Sequence, residues 1–343
     1  MQWPTPATWR YQRAACLYVI DPARLSTRSA AGGAALVVAS ALAFALDGPM
    51  ARSAYQHGLD PAAFGFWRAC AGAVVLGCFL AARPRSGAFA AIRRMRRAAV
   101  IRLALAAVAG LGLNLALFQA FARLPVAVAV AAFGCYPLLV AAWEAASRRR
   151  APGVLGMGMG MFMATTAIIG LVLLIRPDPS VSVPAAGLLL ALLAAVLHAV
   201  YIMLGRGGWG EVGDGAATFL IVATAAAGLG ALTAMTHPGT VLAPVTDFGL
   251  AALLLLEGAL AGAVAPLLFL AGLRRAGATQ TAVLSLCEPL AATLLAAMML
   301  RQLPAPSQLL GAALLVGAGI AVQVAPAFPD WAALTRWFGS PSR

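Results

Sequence analysis

The sequence has few charged residues and no lysine. Charged side chains make up 10% of its 343 residues and hydrophobic side chains 62%, whereas soluble domains carry about 25% charged residues. This composition excludes an ordinary soluble domain. The formal net charge is +13, but the arginines that produce it lie mostly in short connections between apolar segments. That placement indicates orientation in a membrane rather than nucleic-acid binding.

Cysteine and histidine are too few and too scattered for a disulfide framework or a metal site. There are five cysteines, an odd number, and three histidines, and no Cys/His spacing resembles a zinc site. We therefore expect no metal and no other cofactor. Residues 1–31 contain four arginines but no apolar core. We expect a cytoplasmic N-terminal extension there rather than a cleaved signal peptide.

Ten apolar segments are each long enough to cross a bilayer as a helix, at about 1.5 Å per residue. None shows the period-two alternation of a barrel strand, and backbone groups in lipid must pair within the chain. The sequence therefore predicts an all-α integral membrane protein with ten transmembrane helices. The predicted spans are 32–55, 62–82, 101–121, 126–146, 153–175, 184–205, 215–236, 248–272, 279–300 and 308–325.

The ten spans divide into two similar halves, residues 32–175 and 184–325. Both contain a related pentapeptide, Phe-Gly-Cys-Tyr-Pro at 133–137 and Ser-Leu-Cys-Glu-Pro at 285–289. Because five spans is an odd number, the second half would enter the membrane inverted. Inverted repeats are typical of secondary transporters, whose substrate site lies near the midplane. Arginines concentrate in alternate connections, which predicts cytoplasmic N and C termini and a cytoplasmic tail at 326–343.

Two glutamates lie near the middle of predicted spans, where a charged group costs about 2.5–3.5 kcal/mol. Glu288 precedes Pro289, and proline leaves a carbonyl one turn earlier without its helical partner. We interpret Glu288 as a group for proton coupling or amine recognition, the alternative being a neutral acid bonded to a neighbouring helix. Glu257 precedes the flexible stretch 258–266, and its structural and proton-coupling interpretations are evenly balanced.

Asp47 and His198 are 151 positions apart, the same offset that relates 120–123 to 271–274. They therefore look equivalent in the two halves, and we interpret them as candidates for proton or substrate handling. The alternative for His198 is a hydrogen-bonded core residue. Arg68 lies in span two, where snorkelling to the interface is the default expectation and binding of a substrate carboxylate the alternative. Four aromatic residues could line a substrate cavity or only pack: Trp67, Phe118, Tyr136 and Tyr201.

Several features of residues 32–325 form a combined pattern with the ten-span duplication: Arg68, the stretch 117–137, Ala199-Val200-Tyr201, Glu288-Pro289 and the stretch 311–317. In this pattern the chain resembles the EamA family of the drug/metabolite transporter superfamily. The resemblance implies a bacterial inner-membrane exporter of small metabolites, commonly amino acids or related compounds, driven by a proton gradient. Positions near Asp47, Tyr136, His198 and Glu288 would face its central cavity.

The chain also departs from this family's pattern. Asp47 and His198 stand where members often carry tryptophan, and Tyr136 stands where Glu-Pro is usual. A glutamate common beyond that proline falls at Arg150 and Gln302. The fold expectation is unaffected, but a substrate cannot be carried over from other members.

Together these features predict a secondary transporter, not an enzyme, that alternates access around a midplane cavity. Its expected partners are a small-molecule substrate, protons and the lipid bilayer, with no nucleic acid, and a homodimer is compatible with the sequence. The alternatives are a channel-like facilitator or a non-transporting scaffold. A lipid-modifying enzyme is disfavoured, because the arginine-rich connections hold few acids and no histidine.

Overall fold

The computed structural model describes residues 27–82, 88–147, 183–210 and 212–324, with isolated positions between 165 and 173. Within these ranges the secondary structure is helical and contains no strand. The helices are α1 (Thr27–Phe44), α2 (Asp47–Gln56), α3 (Pro61–Ala81), α4 (Ala88–Arg93), α5 (Arg97–Arg123), α6 (Val126–Phe133), α7 (Tyr136–Ser147), α8 (Ala185–Gly205), α9 (Asp214–Thr236), α10 (Ala243–Thr246), α11 (Phe248–Glu257), α12 (Ala265–Ala276), α13 (Ala278–Leu284), α14 (Cys287–Leu300) and α15 (Pro306–Val324).

Eight stretches of the described chain are long and apolar enough to span a membrane. They coincide with predicted spans one to four and six to nine. Most of predicted span five, and the N- and C-terminal extensions, lie outside the described residues. Helix α15 covers the position of predicted span ten.

Two of the spans begin at a clear capping residue. The Asp60 carboxylate accepts hydrogen bonds from the backbone N–H groups of Ala62 and Ala63, at 2.8 and 3.4 Å, at the start of α3. At the start of α11, Asp247 accepts one from Leu250 N at 3.0 Å. A side-chain oxygen there satisfies N–H groups that the helix itself leaves unpaired.

Three of the spans are each broken into two helices, α1–α2, α6–α7 and α13–α14. Each second helix carries a proline in its first turn, namely Pro49, Pro137 and Pro289. Proline is tolerated there, because first-turn N–H groups have no helical acceptor, but it cannot continue a preceding helix. A proline just after the break is therefore the sequence feature that the three broken spans share. The last two breaks lie within the two related pentapeptides.

A fourth span contains a π-helical segment, Gly258–Val264, between α11 and α12. Ala265 N donates to Leu260 O, five residues earlier. The next residue, Pro266, would donate to Ala261 O in the same pattern, but proline has no N–H. The carbonyl of Ala261 is therefore left without a donor from its own helix.

Helix α3 and the π-helical segment approach each other backbone to backbone. A Cβ atom added at Gly72 would lie 2.6 Å from Gly262 O, and one added at Gly258 would lie 2.4 Å from Ala71 Cβ. Gly258 and Gly262 have the GxxxG spacing that permits close helix packing in membranes. A further GxxxG pair noted in the sequence, at 156 and 160, lies outside the described residues.

Helix pairs across the two halves follow a two-fold pattern. Span one packs on span eight (α1 on α12), and span six packs on span three (α8 on α5). Span two packs on span seven (α3 on α9), and span four on span nine (α6 on α14). Exchanging the halves maps this set of pairs onto itself, which indicates that the halves are related by an approximate two-fold axis.

Equivalent connections of the two halves lie at opposite ends of the bundle. Near the C-terminal end of α5, Arg52 of α2 donates to Phe121 O at 3.1 Å. Near the N-terminal end of α5, Arg102 donates to Gly208 O, in the connection between α8 and α9. The α2–α3 connection therefore lies at one end and its counterpart, the α8–α9 connection, at the other.

Candidate functional site

A cavity lies between the two halves, and each of the eight described spans contributes to its wall. Its empty volume is about 740 Å³, its opening included. Five of the lining residues are polar: Asp47, Arg68, Asn114, His198 and Glu288. Four are aromatic: Phe44, Phe133, Tyr201 and Phe269. The rest of the wall is apolar or glycine, so the few polar groups determine what it can bind.

Arg68 lies at the centre of an ion-pair network. Its Nε and Nη2 donate to Asp47 Oδ1 and Oδ2 at 2.8 and 3.1 Å. Nε also donates to Glu257 Oε1 at 3.0 Å, and Nη1 donates to Asn114 Oδ1 at 3.3 Å. Nη2 donates in addition to Ala261 O at 2.7 Å. These bonds use four of the five guanidinium N–H groups and leave one, on Nη1.

The expectation that Arg68 snorkels to the interface is wrong, because its side chain is 7% exposed. Two carboxylates and a carbonyl that lacks a helical donor compensate its charge inside the protein. The close approach of α3 to the π-helical segment brings Arg68 within reach of Ala261 O. The missing N–H of Pro266 is the sequence signal for this acceptor.

Glu257 lies behind the cavity wall rather than on it. Its side chain is fully buried, and its Oε2 has no hydrogen-bond partner among the described residues. Its visible role is to hold Arg68 from the second half, while Asp47 holds it from the first. The network therefore links the halves.

Glu288 differs from the other two acids. It is 9% exposed and lines the cavity, and no described residue donates a hydrogen bond to its carboxyl group. Its backbone N–H donates to Ser285 O at 2.9 Å, in the turn that breaks span nine. The broken helix thus presents a free carboxyl group to the cavity.

His198 packs among aromatic rings. Its ring centroid lies 4.5 Å from that of Tyr136, 5.2 Å from that of Phe133 and 5.4 Å from that of Phe269. Its Nδ1 is buried without a hydrogen-bond partner. Asp47 and His198 line the same cavity, but no hydrogen bond joins them in the described chain.

The aromatic residues expected at the cavity are divided between its wall and the layer behind it. Tyr201 lines the cavity, whereas Trp67, Phe118 and Tyr136 do not contribute to its wall. Phe118 packs beneath Arg68, whose Cζ lies 5.5 Å from the ring centroid. Trp67 packs against a neighbouring ring, that of Phe66, at 5.3 Å.

Sequence reasoning did not identify three aromatic lining residues, Phe44, Phe133 and Phe269. Phe44 and Phe133 are the last residues of α1 and α6, directly before the breaks α1–α2 and α6–α7, so proximity to a break was an available signal for both. No comparable signal marks Phe269 among the many apolar residues of its helix. Within the described ranges, no three His, Cys, Asp or Glu side chains converge as a metal site.

The eight apolar helices define a multi-pass membrane protein, and the family match that follows makes it a transporter of the drug/metabolite type. The sequence profile of the EamA-like transporter family matches residues 31–175 and 185–323, one match for each half. The chain belongs to the EamA-like transporter family. This confirms the resemblance recognised in the sequence.

Solved structures show the same fold. One, described as "Crystal structure of protein", has a TM-score of 0.58 and 19% sequence identity. The alignment covers 92% of this chain and 99% of that chain. No curated protein gives a significant match.

Proposed function

We propose that this transporter is a proton-coupled exporter of small metabolites, such as amino acids or related compounds, in the inner (plasma) membrane. The observation that carries the proposal is the free carboxyl group of Glu288 in the cavity between the halves. An intramembrane ionisable group that faces a cavity is costly, and such groups mark ion and proton pathways in transporters.

Glu288 is the proton-exchanging group of this mechanism. Protonation removes one negative charge from the cavity. A substrate that interacts with this charge then binds the protein with a different affinity. By linkage, substrate binding then changes the affinity of Glu288 for the proton to the same extent. Asp47, Arg68 and His198 face the same cavity and contribute to the electrostatic potential at the carboxyl group of Glu288.

Alternating access follows from rocking of the two halves about the cavity. The two-fold pattern of helix pairs supports this proposal, because exchanging the conformations of two inverted repeats turns an inward-facing state into an outward-facing one. The Arg68 network joins the first half to the second, and must be preserved or rearranged during the movement.

The orientation of the transporter follows from the arginine-rich connections. We place the α8–α9 connection and both termini in the cytoplasm, with the α2–α3 connection on the opposite side.

The test is accumulation of labelled amino acids and small metabolites in proteoliposomes, with and without an imposed pH gradient. We expect at least one compound to accumulate above its equilibrium level only when the gradient is present. Equilibration without accumulation would identify a facilitator instead. Turnover of a lipid by the purified protein would identify an enzyme.

A further inference from the structure

The cavity has more carboxyl groups than cations. Three carboxyl groups, those of Asp47, Glu257 and Glu288, lie on or directly behind its wall, and Arg68 is the cation that faces them in the described residues. A buried carboxylate without a counter-ion is strongly unfavourable. A carboxyl group that Arg68 does not compensate therefore needs either a proton or a positively charged occupant of the cavity, and the occupant can take the place of the proton.

Arg68 is not available to a substrate anion. Asp47 forms a bidentate ion pair with it, and Glu257 shares the Nε–H that donates to Asp47. Asn114 and the carbonyl of Ala261 each accept from one further N–H group. The single remaining N–H cannot form the bidentate pair by which arginine recognises a carboxylate. The sequence alternative in which Arg68 binds a substrate carboxylate therefore lacks the geometry it requires.

Glu288 is available to a cation. Its side chain is nine-tenths buried, lines the cavity and has no partner in the described chain. It thus offers a desolvated counter-ion without an existing ion pair that must first be broken. Desolvated ion pairs of this kind are worth more than exposed ones, provided the geometry is good.

Aromatic rings surround the same space. Phe44, Phe133, Tyr201 and Phe269 all line it, and the Phe44 and Phe269 rings form an edge-to-face pair with centroids 6.5 Å apart. The faces of aromatic rings attract organic cations, most strongly where water is excluded. Carboxyl groups together with several rings form a site for an ammonium group attached to an apolar body.

We propose that the substrate is an organic cation, an amine or a quaternary ammonium compound with an apolar body, and that Glu288 is its counter-ion. This proposal rests on the proposed function, since it names the substrate class of the same cavity. The proposal also predicts the order of binding affinity among related compounds. A free amine binds better than the corresponding amino acid, because the carboxylate of the amino acid finds no free cation in the cavity.

The test is equilibrium binding of four probes to the full-length protein in detergent, measured by calorimetry. The probes share a phenyl group and differ in their polar groups: 2-phenylethylamine, phenylalanine, 2-phenylethanol and 3-phenylpropionate. We expect the amine to bind at least about tenfold more tightly than the alcohol, and phenylalanine to bind more weakly than the amine. We expect no measurable binding of 3-phenylpropionate. Tighter or equal binding of the alcohol or the carboxylate would overturn the proposal, as would absence of amine binding at millimolar concentration.

Three variants identify the counter-ion and the rings. Glu288→Gln should weaken amine binding at least about tenfold, whereas Asp214→Asn, which alters a carboxylate paired with Arg274 outside the cavity, should leave it unchanged. Phe269→Leu should weaken amine binding about two- to thirtyfold, the range of one cation–π contact from an exposed to a desolvated site, and leave alcohol binding nearly unchanged. Unchanged amine binding in Glu288→Gln would overturn the assignment.

Binding and transport can fail separately. Binding is measured without a gradient or a membrane, so the ranking of the wild-type protein does not depend on proton coupling. Amine-selective binding without gradient-driven accumulation would contradict the proposed transport mechanism but support this substrate class. Accumulation of an anionic compound alone would support a transporter and contradict the substrate class.

Discussion

At the scale of single residues, the main finding is that Arg68 is a buried structural ion. Its bonds reach two helices of the first half and both α11 and the π-helical segment of the second. Removing one partner of a buried ion pair leaves the other charges uncompensated, which costs more than the pair contributes when intact. Arg68 therefore joins α3 to helices of both halves.

We predict that Arg68→Gln lowers the free energy of unfolding by about 3–5 kcal/mol. The reason is that Asp47 and Glu257, whose side chains are 9% and 0% exposed, would lose their cation. The measurement is unfolding of purified protein in mixed micelles titrated with sodium dodecyl sulphate. Arg123→Gln is the matched control, because Arg123 is exposed and bonds only within its own helix in the described structure. An equal effect of the two variants would contradict the buried-network interpretation.

The sequence identified most charged residues of this region but not their pairing. Glu257, Asp47 and Glu288 were recognisable because a charge within an apolar span requires a reason. Arg68 was placed at the interface, because a long side chain near a span end usually reaches water. Its burial depends on a carbonyl released by Pro266 in a span nearly two hundred positions away, which local patterns do not reveal.

At the scale of helices, the cavity is built where helices are interrupted. Three breaks and one π-helical segment lie within the spans, and residues at or next to each of them line the cavity: Asp47, Phe133, Pro266 and Glu288. Proline supplies each interruption, and glycine permits α3 and the π-helical segment to touch. Interrupted helices are the means by which membrane transporters present polar groups at depth.

The close approach of Gly72 in α3 to Gly262 in the π-helical segment can be tested by substitutions in α3. Gly72→Ala should lower the free energy of unfolding by about 1–3 kcal/mol, because the added methyl group would meet the backbone of Gly262 and force the two helices apart. The measurement is the same detergent-titrated unfolding.

Gly77→Ala on the same helix is the control. Its added methyl group would meet only Phe219, at 3.4 Å, and alanine is a better helix former than glycine by about 1 kcal/mol. This variant should be neutral or slightly more stable. A stable Gly72→Ala variant would show that the contact between α3 and the π-helical segment is not tight.

The helices themselves were largely predictable. Apolar length located the eight spans that the structure describes, and a proline in the sequence follows each of the three breaks. The π-helical segment was not predicted. The sequence indicated only that the stretch after Glu257 is deformable, since glycine and proline there are compatible with a kink, a bulge or a break. Its form depends on packing against Gly72.

At the scale of the whole molecule, the two halves are related by an approximate two-fold axis, and equivalent connections lie at opposite ends. This relation was deducible from the sequence, because the repeated pentapeptide and the odd number of spans per half imply it. The position of Phe269 at the cavity was not deducible, because Phe269 meets Phe44 only after spans one and eight pack together.

The inverted arrangement predicts which connections are accessible from outside the cell. In a cysteine-free background, His57→Cys and Gly239→Cys should react with a membrane-impermeant maleimide in intact cells. Gly207→Cys should react only after permeabilisation. All three positions are exposed, so differences in reactivity report the side of the membrane. Labelling of all three from the same side would contradict the inverted topology.

The measurement that tests the central claim most directly is gradient-driven accumulation by the wild-type protein and its Glu288→Gln variant in proteoliposomes. The wild-type protein should concentrate its substrate when a pH gradient is imposed. The Glu288→Gln variant should lose this dependence on the gradient, and the Asp214→Asn variant should keep it. Elution from a size-exclusion column at the wild-type volume shows that Glu288→Gln is folded. Undiminished gradient-driven accumulation by Glu288→Gln would contradict the assignment of Glu288 as the coupling group.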